Sequence, residues 1–148
     1  MTIQLSDHLT LDEFTFSNTA ISENIDNSLP DALLDDAKSL AVNIFEPIRN
    51  LLGVPLHVDS GYRCEKLNLV VRGVSTSQHA KAQAVDIIPQ GIKLSDAFDK
   101  IKNSNIPYDQ LIMEHTSSGS YWIHVSFNTS KNAKQRRQII GNLLKQNK

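Results

Sequence analysis

The sequence predicts an α+β fold, a small antiparallel β-sheet flanked by N-terminal and C-terminal helices. Three observations predict it. Apolar residues recur at helical spacing in the first third of the chain and again near its end. Between those stretches, short segments alternate apolar and polar residues and are punctuated by Gly, Pro and Ser. Helices first and last with strands between them indicate α+β layering, not a βαβ repeat. With 148 residues the chain is long enough to bury a real core, and a single domain over 1–148 is the simplest organisation.

Thr10-Leu11-Asp12-Glu13 matches a capping box, so a short helix is expected from Leu11. Residues 17–29 read as polar and irregular. Pro30-Asp31 opens a long helix whose stripe is Leu33, Leu34, Ala37, Leu40, Ala41, Ile44, Ile48 and Leu51. Pro47 should kink or split it near Phe45, and Gly53 should stop it. Leu56 to Ser60 reads as a strand running into Gly61-Tyr62-Arg63. Residues 64–71 read as a short helix ended by Gly73, and Val74-Ser75-Thr76-Ser77-Gln78 as a loop carrying His79. A strand over Gln83–Ile88 closes at Pro89. Ser95 can cap a helix packing through Ala97, Phe98 and Ile101. Gln110–Glu114 and Tyr121–Phe127 are strands joined by Ser117-Ser118-Gly119-Ser120. A basic helix over 131–148 is expected to pack through Ile139, Ile140, Leu143 and Leu144.

Charge is nearly balanced, at −1, but unevenly placed. Residues 131–148 hold six bases (Lys131, Lys134, Arg136, Arg137, Lys145, Lys148) and no acid, leaving nine bases against sixteen acids in the rest. The favoured reading of the basic end is a solvated helix face; the alternative is a contact with an anionic polymer or membrane surface. Cys64, the only cysteine, excludes an intramolecular disulfide and reads as a small residue at a helix start. The N-terminus has no basic n-region or apolar h-region, so no signal peptide is expected. No apolar run is long enough for a transmembrane segment.

The chemistry concentrates in His79, Asp86 and His124. His-x6-Asp followed by a later strand histidine reads as a metal triad. Two imidazoles and a carboxylate suit zinc, and three protein ligands leave a fourth position for water. Strand alternation puts Asp86 opposite in facing to Val85 and Ile87, and His124 opposite to Ile123 and Val125. In a shared sheet both ligands emerge on one face. Asp is depleted in strands, and Asp86 among apolar neighbours calls for a partner: a metal cation or an arginine. His8 and His57 read as ordinary histidines, and His115 as a neighbour of the site at most.

Ser60-Gly61-Tyr62-Arg63, Ser77-Gln78-His79, Ala84-Val85-Asp86-Ile87 and Trp122-Ile123-His124-Val125-Ser126 together resemble the zinc D-Ala-D-Ala carboxypeptidase and murein endopeptidase family, peptidase M15. They are closest to its short bacterial and phage branch, with a hedgehog-like fold. Leu9-Thr10-Leu11-Asp12-Glu13-Phe14 and Asp109-Gln110-Leu111-Ile112 are similar to that branch too. The resemblance implies one zinc per chain on His79, Asp86 and His124. It implies that Arg63 holds substrate and stabilises an oxyanion, and that Ser77 and Gln78 lie beside the metal. Trp122 and Ser126, on the ligand face, are expected to line the cleft. Many members place a carboxylate three residues before the last ligand, where this chain has Tyr121. Glu114 is therefore the expected general base, paired across the hairpin opposite Trp122 with its side chain on the His124 face. Ala82 stands where the family usually has glycine.

The resemblance implies a zinc-dependent metallopeptidase cutting the peptide part of peptidoglycan, of carboxypeptidase or endopeptidase type. A phage or prophage lysis enzyme released through a holin-made pore, or a virion component, fits the missing leader. A peptidoglycan peptide is then the partner, with no nucleic acid, and a monomer is expected. The competing reading is a non-catalytic zinc-stabilised cell-wall-binding or phage tail module. A carboxylate beside the metal site distinguishes the two. A metal-free structural domain is disfavoured by Asp86.

Overall fold

The computed structural model describes residues 2–74 and 77–145; Ser75 and Thr76 of the loop before His79, and Gln146–Lys148 of the basic end, lie outside the described residues. The α+β fold is as expected. The chain opens with a small antiparallel ribbon, β1 (Gln4–Ser6) and β2 (Leu9–Thr10), too short to show a period. Leu5 and Leu9 turn into the core from it. The capping box then starts α1 (Leu11–Thr15): Thr10 Oγ1 accepts from the Glu13 N–H at 3.1 Å, and the Glu13 carboxylate accepts from the Thr10 N–H. A second short helix, α2 (Asn18–Ser22), occupies the stretch read as irregular, with Ser17 as its cap.

The long N-terminal helix is split as Pro47 demands. A 3₁₀ turn at Asp31–Leu33 leads into α3 (Leu34–Leu40), a π-helical turn spans Ala41–Phe45, and α4 (Glu46–Leu52) ends at Gly53 with φ 67°. Pro47 has no N–H to give the turn before it, and the wider i→i+5 turn absorbs that loss. The extra residue per turn advances the apolar stripe. Phe45 and Leu52 are buried beside Ile44 and Ile48, whereas Leu51, expected on the stripe, is 42 % exposed.

A five-stranded sheet follows in the order β3-β4-β6-β5-β7. Its strands are β3 (Leu56–Ser60), β4 (Ala84–Pro89), β5 (Gln110–Thr116), β6 (Tyr121–Ser126) and β7 (Gln138–Lys145). Helix α5 (Glu65–Val70) joins β3 to the His79 loop, and Cys64 is its N-cap. Helix α6 (Leu94–Lys102) packs through Ala97, Phe98 and Ile101 as expected, but starts one residue before Ser95, which does not cap it. Helix α4 and α6 with Val85, Ile87, Ile123 and Val125 form the core on one face of the sheet.

The expected C-terminal helix is instead strand β7, parallel to β5 and register-matched to it from Gln110↔Gln138 to Thr116↔Lys145. The sheet is therefore mixed, not purely antiparallel. The error has a physical source. Between Ile112↔Ile140 and Glu114↔Leu143 the register slips, so β7 carries one extra residue there. That bulge spaces inward-turning Ile140 and Leu143 three apart, which counterfeits a helical stripe. Ile139 and Leu144 are exposed, at 40 % and 58 %. Nor do Arg136 and Arg137 form a solvated helix face. Arg136 is bonded to Asp109, and Arg137 donates to the Ile106 and Ser104 carbonyls while its guanidinium lies over the Tyr108 ring.

Candidate metal centre and cleft

The sheet face opposite the helical core carries the site. In the register of β4 and β6, Asp86 stands directly opposite His124, and Ser60 of β3 lies opposite Asp86. Two residues back along β6, Trp122 stands opposite Glu114 of β5. Alternation turns all of these to one face while their neighbours Val85, Ile87, Ile123 and Val125 fill the core on the other. His79 arrives from outside the sheet, on a 3₁₀ turn over Gln78–Lys81 that Ser77 caps by accepting the His79 N–H at 3.2 Å. The turn ends at Ala82 in the left-handed region, φ 57°. That conformation explains why glycine suits this position; alanine adopts it at a cost of roughly 1–2 kcal/mol.

The Gly61-Tyr62-Arg63 segment is tied from three sides. The Tyr62 N–H donates to Phe14 O at 2.8 Å, and the Arg63 N–H to His79 O at 3.2 Å. Asn27 donates through Nδ2 to Tyr62 O and accepts from the Cys64 N–H. A Cβ on Gly61 would lie 2.2 Å from Phe14 O, so only glycine admits this approach. Asn27 sits in the stretch read as polar and irregular, and a lone Asn there carries no sequence signal of its role.

His79, Asp86 and His124 are all buried, and one potential ligand atom from each lies within 4.8 Å of the others. His79 Nδ1 lies 2.7 Å from Gly61 O, an acceptor only, so Nδ1 carries the proton and Nε2 a lone pair. Burial, with Arg63 adding to it, pushes the His79 pKa down to about 3, so the ring is neutral at physiological pH. Nε2 makes no hydrogen bond, yet it lies 3.3 Å from Asp86 Oδ1. His124 Nδ1 lies 3.0 Å from that same oxygen. A nitrogen lone pair facing a carboxylate oxygen is repulsive unless a cation joins them. The donor set of two imidazoles and one carboxylate therefore fits a zinc ion.

Arg63 reaches the other oxygen of Asp86, with NH2 at 3.6 Å from Oδ2. Its Nε donates to Ser60 Oγ and its NH1 to Asn68 Oδ1. The arginine alternative for Asp86 is thus present too, at Oδ2, whereas the imidazoles meet Oδ1.

Glu114 is 3 % exposed. Its Oε1 accepts from Trp122 Nε1 at 2.7 Å and lies 4.0 Å from His124 Nδ1; Oε2 lies 3.6 Å from Lys145 Nζ. Tyr121, by contrast, is half exposed and stacks on His115 on the other face, so neither joins the site. His8 pairs with Glu46, away from the cleft.

Two cavities meet over this face. One of about 560 Å³ is lined by Ser77, Gln78, His79 and His124 among others. The other, of about 260 Å³, is lined by Trp122, Phe16, His57 and Leu67 among others. Arg63, Gly73, Glu114 and Lys145 border both. Gln78 donates to Asp109 Oδ2 at 3.1 Å. Ser126 is placed otherwise than expected: it is fully buried and its hydroxyl accepts the Gln110 N–H, so it anchors β5 and lines neither cavity. Lys145 is the residue that sequence reasoning missed, because it was assigned to a helix.

No curated protein matches the chain. A family model described as Peptidase M15 matches residues 7–126, and the chain belongs to that family.

Proposed function

We propose that this member of the peptidase M15 family is a zinc-dependent peptidase acting on the peptide part of peptidoglycan, with one zinc held by His79, Asp86 and His124. The observation that carries the metal reading is the His79 Nε2 lone pair set against Asp86 Oδ1. Zinc supplies Lewis acidity, which polarises a carbonyl and acidifies water. Glu114 is proposed as the general base, taking a proton on its carboxylate and returning it to the leaving amine. The Trp122 indole holds that carboxylate in place, and Glu114 borders both cavities. Arg63 is proposed to bind substrate and a developing oxyanion, its guanidinium pre-oriented by Ser60 and Asn68. Ser77, Gln78 and Trp122 are proposed as cleft walls that position the peptide.

Glu114 beside His124 favours an enzyme over a non-catalytic binding module, which needs no buried carboxylate there. The resemblance to the short bacterial and phage branch supports a role in lysis or in a virion, as one monomeric domain. Among the described residues, no helix is long and apolar enough to cross a membrane.

The test is mass spectrometry of purified muropeptides after incubation with zinc-loaded protein. Wild type should release a defined peptide product. Glu114→Gln should keep zinc but lose about 10²–10⁴-fold in rate, the usual contribution of a general base. Undiminished cleavage by Glu114→Gln would remove Glu114 from that role. Zinc and muropeptide binding without any cleavage by wild type would establish the binding module instead.

A further inference from the structure

We propose that Lys145, on the final strand, is a specificity-determining residue: with Arg63 it forms a pair of cations that reads a free carboxylate on the bound peptide. The inference rests on the peptidase reading for its substrate and on geometry for its site.

The position of Lys145 is built into the sheet. Thr116 is its partner in the parallel register of β5 and β7. Thr116 and Glu114 are two apart on β5, so they share a face, and Lys145 opposite Thr116 projects to that same face. Its Nζ stands 3.6 Å from Glu114 Oε2. An ammonium has three N–H donors in a compact fan, and one carboxylate oxygen at that distance leaves donors to spare. The side chain is 32 % exposed, open enough for a ligand to reach.

Lys145 and Arg63 both border both cavities, one from the last strand and one from the loop after β3. Arg72 adds a further cation to the smaller cavity, and Lys81 one to the larger. Against them stand Asp59 in the smaller cavity, Asp109 in the larger, Glu114 at the junction and Asp86, 3.6 Å from Arg63; Asp109 is already bonded to Arg136. The cations converge in a chain of net charge −1 whose charged residues outside 131–148 are mostly acidic. Excess positive charge in a concave site selects an anionic ligand. A peptide whose carboxylate lies next to the cleaved bond matches that chemistry, and an amidated one does not. Lys145 lies beyond residues 7–126, the span of the family match, so the match itself assigns it no role.

The experiment compares two synthetic peptidoglycan stem peptides, identical except that one carries free carboxylates and the other carboxamides. Binding is read from the fluorescence of Trp122, the only tryptophan and a wall of the smaller cavity. Cleavage is read in parallel as KM and kcat. Wild type should bind the free-carboxylate peptide at least 10-fold more tightly than the amide. Lys145→Met should weaken that binding about 10-fold or more, the value of a charged hydrogen bond, and should raise KM by a like factor. Its binding of the amide should change less than about 2-fold. Lys145→Arg should retain most of the discrimination. Equal losses for both peptides, or a fall in kcat with KM unchanged, overturn the inference while leaving the peptidase reading in place. Discrimination by binding that Lys145→Met abolishes, with no cleavage of either peptide, upholds the inference and removes the peptidase reading.

Discussion

Removing the Arg136 guanidinium should destabilise the protein, although the residue is more than half exposed and was read from sequence as part of a solvated surface. Asp109 is 2 % exposed and cannot ionise there without partners. Arg136 gives it Nε to both carboxylate oxygens at 3.1 Å and NH2 to Oδ2 at 2.7 Å. Arg136 N and Gln78 Nε2 also donate to Asp109, and both would survive an alanine substitution. The variant therefore loses the side-chain fork alone. Two charge-assisted bonds are worth about 3 kcal/mol together, and the half-solvated guanidinium reduces that to about 2 kcal/mol. In a domain of this size the Tm should fall by about 4–8 °C, read by calorimetry at pH 7.

The pH dependence has a fixed sign. Burial raises the Asp109 pKa, but the bonds from Arg136 outweigh it and hold the carboxyl below its ordinary value. A depressed pKa contributes stability above the unfolded value, about 3.9, that is lost as pH falls through the folded value. Wild type and Arg136→Ala should therefore differ fully from neutrality down to about pH 4 and converge below it. Arg136→Lys should recover part of the loss, since a point charge replaces the planar fork. A Tm change under about 2 °C, or a difference that persists undiminished in acid, would refute the reasoning.

Two further outcomes follow from the site. His124→Ala should abolish stoichiometric zinc on metal analysis after reloading, while far-UV circular dichroism stays native, because the apolar core lies on the other sheet face. Gly61→Ala should cost about 3 kcal/mol in denaturant unfolding, because its Cβ meets the Phe14 carbonyl, a backbone atom that cannot swing aside.

The candidate metal triad was legible because its residues sit in local patterns. Asp86 and His124 interrupt β-branched strands with polar residues, and alternation alone places them on one face. The Glu114–Trp122 pairing followed from the length of the hairpin. The capping box and the break at Pro47 were equally local. What escaped was non-local. Strand β7 exists because β5 offers it a free edge, and its bulge imitates a helical repeat. Arg136, Arg137 and Lys145 looked like solvated charges because their partners, Asp109, Ile106 and Glu114, are about thirty residues away or further in each case. The same holds for Asn27, whose clamp on Tyr62 spans 35 residues.

Strand β7 has a consequence for motion. None of its residues is buried, and it holds to the sheet by the parallel ladder with β5 and by ties at its two ends. Strand β6, in contrast, is buried from Trp122 to Ser126 between two neighbours. The free energy needed to peel an element away scales with the apolar contacts it carries, so β7 can leave the sheet well below the energy of global unfolding. One wall of the cleft is thus governed by a local opening equilibrium, and His79, Asp86 and His124 by the cooperative stability of the whole molecule.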